Sequence, residues 1–314
     1  MVERPLILAL VGPTGVGKTD VACELAERFP VSLISLDSAQ VYRQMDIGTA
    51  KPDLALRERH PHALIDIRDP AEPYSAADFL RDADAAILAA LAADRIPLLV
   101  GGTMLYLKAF RDGLAPMPSA DVALRARLAE QGRSLGRLAM FERLKAVDPQ
   151  AAANIHPNNV TRVQRALEVY ELTGKPMTSF WSEGEGVTAR LGARLLEFAI
   201  EPDSRQALHE RIEVRFAAML EAGFVDEVAR LRGRGDLHLD LPSMRAVGYR
   251  QIWDYLAGTI DAPEMHERAL AATRQLAKRQ FTWLRGWTGI ESLRWGQPAV
   301  IAQQIGQRAH LAKP

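Results

Sequence analysis

Short apolar runs alternate with amphipathic segments along the first third of the chain, and one more apolar run follows after residue 190. Such runs predict strands that are buried on both faces, and the segments between them have helical periodicity. Strands that alternate with helices favour a parallel sheet with helices on both faces, so we predict an α/β fold. The predicted strands are Leu6–Val11, Leu33–Leu36, Leu64–Ile67, Ile96–Val100 and Leu195–Ile200.

The helical signals divide the chain into a core and an insertion. From about Pro116 to Arg190 the strand-like runs disappear and helical patterns dominate. We therefore predict a core formed by residues 1–115 and 191–314, with an all-helical insertion domain at residues 116–190. No helix or strand is predicted after Arg285. The predicted helices are 20–29, 75–93, 121–131, 134–146, 149–154, 160–173, 204–222, 224–232, 245–258 and 263–285.

Composition excludes several classes of protein. Lys and Arg together number 39, as do Asp and Glu, so the net charge indicates no partner. The single cysteine, Cys23, excludes an intramolecular disulfide and a cysteine-based zinc site. No apolar run approaches the ~20 residues of a membrane span, and Met1–Arg4 leads directly into a strand rather than a signal peptide. We expect a cytoplasmic protein that has no membrane partner and acts as a monomer.

A glycine-rich loop follows the first strand and precedes the first predicted helix. Its sequence matches the pattern G-x-x-x-x-G-K-[ST] in the strand–loop–helix setting that this pattern needs. Backbone N–H groups and the helix N-terminus attract phosphate, Lys18 adds a full charge, and the Thr19 hydroxyl is placed for Mg²⁺ or a phosphate oxygen. The loop therefore predicts a site for a nucleotide or another phosphorylated compound. Its residues are Gly12, Pro13, Thr14, Gly15, Val16, Gly17, Lys18 and Thr19.

Polar residues also follow two other predicted strands. Asp37 comes after Leu36, and Gly102 and Thr103 come after Val100 and Gly101. Ligands of open α/β sheets bind outside the carboxyl ends of the strands, so we expect these residues to line one crevice with the phosphate loop. Asp37 has three interpretations: a Mg²⁺ ligand, a general base for a second substrate, or a helix N-cap. The Thr103 hydroxyl is expected to donate to a phosphate or a leaving-group oxygen.

Arg215 occupies an unusual position on its predicted helix. It lies beside the apolar stripe that contains Ile212 and Phe216, while glutamates occupy the opposite face. A guanidinium that is turned inward needs an anionic partner. That partner is either a buried carboxylate or the diphosphate of a substrate, which the planar fork of arginine fits well.

The last predicted helix carries a basic stripe. Residues 268–289 contain five Lys or Arg residues and no Asp or Glu. Arg274, Lys278, Phe281 and Arg285 share one helix face, which suits contacts to a nucleic-acid backbone with a stacked base. Further isolated basic residues occur at Arg162, Arg165, Arg245 and Arg250.

Several motifs in sequence resemble those of bacterial tRNA dimethylallyltransferases, which are P-loop-type tRNA isopentenyltransferases. The resemblance runs from about Pro5 to Trp287, and the chain departs from the family pattern at Thr161, where we expect Gln, and at Val16, where Ser is usual. Besides the phosphate loop, the motifs are Asp37–Tyr42, Met45–Pro52, Val100–Tyr106, Arg245–Gln251 and Thr273–Gln280.

The resemblance implies transfer of a dimethylallyl group from dimethylallyl diphosphate to N6 of the adenosine at position 37 of tRNA, in the anticodon stem-loop, with Mg²⁺ as cofactor. Asp37 would be the general base, Arg215 and the phosphate loop would hold the diphosphate, and Thr103 would lie near the leaving group. The implied tRNA contacts are Asp37, Ser38, Ala39, Gln40, Thr103, Arg125, Thr161, Arg162, Val163, Gln164, Arg165, Arg245, Ala246, Val247, Gly248, Tyr249, Arg250, Lys278, Arg279, Gln280, Phe281, Thr282, Trp283, Leu284 and Arg285.

Two other functions fit part of the sequence. A small-molecule or nucleotide kinase shares the phosphate loop and the Mg²⁺ requirement, but it has no need of the C-terminal basic stripe. A nucleotide-gated RNA-binding protein without catalytic activity would explain the loop and the stripe. It would leave Asp37 and Thr103 without a role.

Overall fold

A parallel sheet forms the centre of the protein. The computed structural model describes residues 4–181 and 184–311, and in this part of the chain the sheet has six strands. In chain order the strands are β1 (Leu6–Val11), β2 (Val31–Leu36), β3 (His62–Ala63), β4 (Ile96–Gly101), β5 (Arg194–Glu201) and β6 (Glu291–Arg294). They pair in the order β3-β2-β4-β1-β5-β6, and every pairing is parallel. The predicted α/β fold class is confirmed.

Helices surround the sheet and also form the segment between β4 and β5. In chain order they are α1 (Lys18–Arg28), α2 (Leu54–Arg59), α3 (Ala76–Ala92), α4 (Met104–Asp112), α5 (Val122–Leu135), α6 (Arg137–Val147), α7 (Pro149–Asn154), α8 (Val160–Thr173), α9 (Val187–Leu191), α10 (Arg205–Glu221), α11 (Phe224–Gly233), α12 (Tyr249–Leu256), α13 (Ala262–Arg285) and α14 (Pro298–Arg308). Among the described residues, no helix is long and apolar enough to cross a membrane.

The chain divides into two compact units. The sheet unit comprises Met1–Arg111 and Val187–Pro314, and the helical unit comprises Asp112–Gly186. The predicted insertion, residues 116–190, begins and ends a few residues later. In the helical unit, α5, α6 and α8 pack around a separate apolar core that includes Leu128, Leu144 and Leu167. The buried carboxylate of Asp148 caps α7 and accepts hydrogen bonds from the N–H and hydroxyl of Thr178.

The central strands are apolar because both of their faces are covered. β1 lies between β4 and β5, and its residues Ile7–Val11 are fully buried. An interior parallel strand therefore reads as a continuous apolar run rather than an alternating one. This property explains why β1, β2, β4 and β5 were predictable from the sequence.

The predicted strand Leu64–Ile67 is wrong. The strand in this region, β3, covers only His62–Ala63, and the chain then turns with Leu64 at φ 66° and Asp66 at φ 58°. Positive φ values interrupt an extended backbone. The turn allows the Asp66 carboxylate to accept hydrogen bonds from Lys51 at 2.5 Å and Arg57 at 2.6 Å, so polar contacts override the apolar pattern.

Two predicted helix starts are also wrong. The segment Arg245–Gly248 forms a turn, and α12 begins only at Tyr249; α5 runs on to Leu135, so α6 begins at Arg137 rather than Ser134. In both cases a glycine with positive φ separates the two conformations, Gly248 at 90° and Gly136 at 85°. Glycine adopts this conformation readily and often ends or interrupts a helix.

The C-terminal segment adds an edge strand and a helix that the sequence did not predict. β6 pairs with β5, and α14 packs on α1. The contact is close: a Cβ at Gly306 would lie 2.3 Å from the Phe29 ring. β6 has only four residues and buries only Leu293, which explains why no apolar run marks it.

Candidate active site

The loops that follow β1, β2 and β4 meet at one end of the sheet and line a cavity of about 460 Å³, as the sequence predicted. Thr14 lies in the first loop, Asp37 and Ser38 in the second, and Gly102 and Thr103 in the third. Side chains from α10, α11 and α13 and from the turn before α12 complete the wall. They include Ile212, Arg215, Phe216, Met219, Phe224, Arg245, Leu276, Arg279 and Trp283.

The phosphate loop is ready to receive an anion. α1 begins after Gly17, which has φ 82° and makes no side-chain cap, so the first N–H groups of the helix remain available to a ligand. The Lys18 ammonium donates to the carbonyl oxygens of Gly12 and Pro13, each at 3.0 Å. Burial lowers the pKa of Lys18 to about 8. An anionic ligand would restore full charge to this side chain.

Asp37 uses its two carboxylate oxygens differently. Oδ1 accepts the N–H groups of Ala39 at 2.8 Å and Gln40 at 3.3 Å, which fixes the turn after β2. Within the described chain, Oδ2 has no hydrogen-bond partner. Burial raises the pKa of Asp37, and its two backbone hydrogen bonds and the charges of Lys18 and Arg215 oppose this shift. The cap interpretation therefore accounts for one oxygen, and the other is available for chemistry.

Thr103 joins the loops after β2 and β4. Its hydroxyl oxygen accepts the N–H of Ser38 at 3.0 Å, and the hydroxyl donates to the Ser38 side chain at 3.3 Å. The backbones approach closely here, because a Cβ at Gly101 would lie 2.1 Å from the carbonyl oxygen of Leu36. Thr103 is thus held next to Asp37.

Arg215 reaches the phosphate loop from α10. Its guanidinium donates to the Thr14 hydroxyl at 2.7 Å, and no carboxylate among the described residues lies within ion-pair distance. Burial lowers the pKa of Arg215, and the negative charge of Asp37 opposes this shift. Of the two partners that the sequence left open, a buried carboxylate is not found paired with Arg215 in residues 4–181 and 184–311. A substrate diphosphate remains the partner that we predict.

Part of the cavity wall is apolar and tightly packed. A Cβ at Gly48 would lie 2.1 Å from the Phe224 ring, and one at Gly248 would lie 2.7 Å from it. The buried carboxylate of Glu227 accepts the N–H groups of residues 46–48 and the hydroxyl of Tyr249 at 2.6 Å. Sequence reasoning missed this contact, because a glutamate near a helix N-terminus ordinarily reads as a solvated residue.

The basic stripe on α13 is only partly free. Lys278, Arg279 and Arg285 are exposed, whereas Arg274 pairs with Glu213 of α10 at 3.3 Å. Phe281 and Trp283 are partly buried against the core. Three cations of this helix therefore remain available to a polyanion.

The predicted contact residues of the helical unit differ in their surroundings. Arg162 is exposed, and within the described residues it makes no ion pair. Arg125 and Arg165 both pair with the buried carboxylate of Glu168, at 2.9 Å and 2.7 Å. One carboxylate neutralises two guanidinium groups only in part.

Several residues in the predicted tRNA-contacting segments have buried side chains. Val163 lies in the core of the helical unit, and Tyr249 and Leu284 lie in the core of the sheet unit. Gln280 is 7% exposed, and its amide contacts the phosphate loop. Their tRNA contacts stay predictions, because nothing in the structure tests them.

The protein itself offers few metal ligands. In residues 4–181 and 184–311, no cluster of three or more His, Cys, Asp or Glu side chains is arranged to hold a metal ion. The cavity provides hydroxyl and carboxylate oxygens at Thr14, Asp37 and Thr103, and Thr19 adds another hydroxyl on α1. Oxygen donors of this kind suit Mg²⁺ when a phosphorylated ligand supplies further oxygens.

Known proteins resemble this chain over nearly its whole length. The family model described as IPP transferase matches residues 40–287, and the one described as isopentenyl transferase matches residues 5–60. A relative from Hahella chejuensis, tRNA dimethylallyltransferase 2, is 54% identical over 300 residues, which are 92% of this chain and 90% of the relative.

Solved structures share the fold. The tRNA isopentenylpyrophosphate transferase of Bacillus halodurans is 37% identical, with a TM-score of 0.71 and coverage of 98% of this chain and 96% of that one. A eukaryotic dimethylallyltransferase acting on tRNA is 27% identical, with a TM-score of 0.77 and coverage of 97% and 77%. The match to residues 40–287 and the 54% identity confirm the resemblance and show that this chain belongs to the tRNA isopentenyltransferase family.

Proposed function

We propose that this chain transfers a dimethylallyl group from dimethylallyl diphosphate to N6 of the adenosine at position 37 of tRNA and releases diphosphate. The observation that carries the proposal is one cavity with a cationic phosphate loop, apolar lining residues and the Oδ2 of Asp37, which no described residue hydrogen-bonds. The cationic loop suits a diphosphate, the apolar residues suit a short alkyl group, and the carboxylate suits an amine nucleophile. The names of the relatives support the same reaction.

On the donor side, the residues of this chain stabilise the leaving group. As the bond between the allylic carbon and the diphosphate oxygen breaks, negative charge grows on the diphosphate. Lys18, Arg215 and the N–H groups at the start of α1 are fixed where that charge develops, so they need little reorganisation. The apolar wall, including Phe216 and Met219, suits the alkyl group and excludes water.

On the acceptor side, Asp37 prepares the nucleophile. The amine of adenine is weakly nucleophilic, so the carboxylate orients N6 and accepts its proton as the carbon–nitrogen bond forms. Burial raises the pKa of Asp37 and makes it a stronger base than an exposed aspartate. The Oδ1 contacts to Ala39 and Gln40 hold the carboxylate in place.

We propose Mg²⁺ as the cofactor, held by Thr19 together with oxygens of the bound diphosphate. When bound, the ion would neutralise part of the charge on the leaving group. A Ser or Thr hydroxyl at the end of a phosphate loop is the ligand that such loops supply to Mg²⁺.

The tRNA would place one unstacked base in the cavity. Adenosine 37 must leave the anticodon loop to bring N6 to Asp37. The exposed cations Lys278, Arg279 and Arg285 lie on the helix that lines the cavity and would contact phosphates of the loop. We propose that the protein acts as a monomer, and a tRNA substrate supports a cytoplasmic location.

The direct test is mass spectrometry of tRNA nucleosides after incubation with the protein, dimethylallyl diphosphate and Mg²⁺. We expect a dimethylallyl mass increment on adenosine at position 37. A parallel reaction replaces the donor with γ-labelled ATP. Transfer of labelled phosphate without any alkyl increment would support a kinase and contradict the proposal.

The activity is expected to have a bell-shaped pH dependence. Asp37 must be ionised, so kcat/KM falls as the pH drops through its raised pKa; Lys18 must be protonated, so kcat/KM falls again as the pH rises through about 8. Measurement of kcat/KM for dimethylallyl diphosphate against pH reports both groups in the free enzyme. In the Lys18→Arg variant the alkaline limb should move to higher pH, because a guanidinium stays charged. An unmoved alkaline limb would contradict the assignment to Lys18.

Substitution of Arg285 by alanine should weaken tRNA binding in a salt-dependent way. Loss of one phosphate contact lowers the slope of log K against log salt concentration by about 0.7–0.9. The control is Arg268→Ala on the same helix, since Arg268 pairs with Glu264 and lies outside the cavity. Equal slopes for wild type and Arg285→Ala would show that Arg285 contacts no phosphate.

A further inference from the structure

Gln280 bridges two of the loops that line the cavity. Its Oε1 accepts the N–H of Thr14 at 2.8 Å, and its Nε2 donates to the carbonyl oxygen of Gly102 at 2.9 Å. The side chain is 7% exposed, although the sequence around it is basic and solvated. Both ends of the amide are therefore used inside the protein, on the loops after β1 and β4.

The bridge belongs to a longer chain of contacts across the cavity. On one side, the Thr14 hydroxyl accepts a hydrogen bond from Arg215 at 2.7 Å. On the other side, the residue after Gly102 is Thr103, whose hydroxyl oxygen accepts the N–H of Ser38, next to Asp37. Gln280 thus lies between the groups assigned to the leaving group and the carboxylate assigned to the nucleophile.

The amide of Gln280 packs directly against Gly102. A Cβ at Gly102 would lie 2.3 Å from Nε2 of Gln280, so any side chain larger than hydrogen at this position would displace it. The neighbours of Gln280 on α13, Lys278 and Arg279, are exposed, and Arg279 also lines the cavity. One helix therefore presents cations to the outside and a fixed amide to the reaction site.

We propose that Gln280 is a positioning residue that sets the distance between the diphosphate loop and Asp37, and so connects the tRNA-facing helix to the site of bond exchange. This inference rests on the proposed function. In a displacement the leaving oxygen and the attacking nitrogen must be aligned, and a displacement of about 1 Å lowers the rate by roughly 10²-fold. A tRNA bound along α13 would contact the same helix whose Gln280 holds the loops after β1 and β4.

The test replaces Gln280 with methionine, which has a similar shape but cannot make either hydrogen bond. We expect kcat for dimethylallyl transfer to fall roughly 10- to 100-fold. The KM for tRNA and the salt dependence of tRNA binding should not change, because both hydrogen bonds of the amide are made to the protein and the exposed cations of α13 are left in place. The matched control is Gln275→Met, the same change at an exposed position of α13, which should keep wild-type kcat.

A second variant approaches the bridge from its other end. Gly102→Ala would push Nε2 away, and a flexible side-chain end can move without disturbing the backbone. It should lower kcat as Gln280→Met does, and the double variant should be no slower than the slower single variant, since both remove one interaction. If Gln280→Met alone fails to fold, the kcat of Gly102→Ala still tests the positioning role.

The possible results separate the two proposals. Wild-type kcat in Gln280→Met, additive losses in the double variant, or a raised KM for tRNA with unchanged kcat would each overturn the positioning role. The last result would instead support a direct tRNA contact by Gln280. A wild-type chain that transfers no dimethylallyl group would overturn the proposed function and this role together.

Discussion

Replacement of Asp37 by asparagine is expected to lower kcat for dimethylallyl transfer by about 10²-fold or more, with tRNA affinity unchanged. An asparagine side-chain oxygen can still accept the N–H groups of Ala39 and Gln40, so the turn after β2 should persist. An amide cannot accept the proton of N6, so only the chemistry is lost. Single-turnover kinetics that start from the complex of the protein with tRNA measure the rate of transfer. A filter-binding assay measures tRNA affinity, so the two effects are separated.

A matched control exists outside the cavity. Asp53 is exposed and caps α2 by accepting the N–H of Leu56 at 2.7 Å. The Asp53→Asn variant carries the same chemical change at a carboxylate that only caps, so it should retain wild-type kcat. If Asp37→Asn also retained wild-type kcat, Asp37 would be a cap and not the general base. A non-catalytic RNA-binding protein would show no transfer activity, either in the wild type or in any variant.

Substitution of Arg215 by alanine is expected to lower kcat about 10²- to 10³-fold, the loss typical of removing one preorganised donor to a developing anion. The guanidinium is poorly solvated, donates to Thr14, and has no carboxylate partner among the described residues, so its charge is reserved for a ligand. Inorganic diphosphate should also inhibit this variant more weakly. Arg215→Lys should recover only part of the rate, because an ammonium lacks the planar fork.

Arg205 provides the comparison for this experiment. It is exposed in the first turn of α10, the helix that carries Arg215, and it lies outside the cavity. Arg205→Ala should keep both kcat and the inhibition by diphosphate. Equal kcat values for Arg215→Ala and wild type would remove Arg215 from the diphosphate site.

The main part of the site was predictable because its position follows from topology. Parallel strands place their carboxyl ends together, so Asp37 and Thr103 could be assigned to the edge that carries the phosphate loop. Arg215 was predictable from its phase on an amphipathic helix. Each of these inferences needs only a local pattern and one rule about the fold.

Other features depend on contacts between distant parts of the chain. Gln280 lies in a basic stretch that is typical of a surface, but its buried amide occupies space that Gly102, 178 positions away, leaves open. The apolar run at Leu64–Ile67 was misread for a similar reason, since the ion pairs of Asp66 with Lys51 and Arg57 decide the backbone there. Such pairings have no signature within a short window of sequence.

The order of the strands has a consequence for synthesis of the protein on the ribosome. β1 pairs with β4 on one edge, but its other partner, β5, begins only at Arg194, after the whole helical unit. At about 5–20 residues per second, the segment from Gly101 to Arg194 takes roughly 5 to 19 s to emerge. Through this interval one apolar edge of β1 remains unpaired, and unpaired edges promote aggregation. The helical unit makes up most of this segment, so its length largely sets the time during which β1 lacks its partner β5.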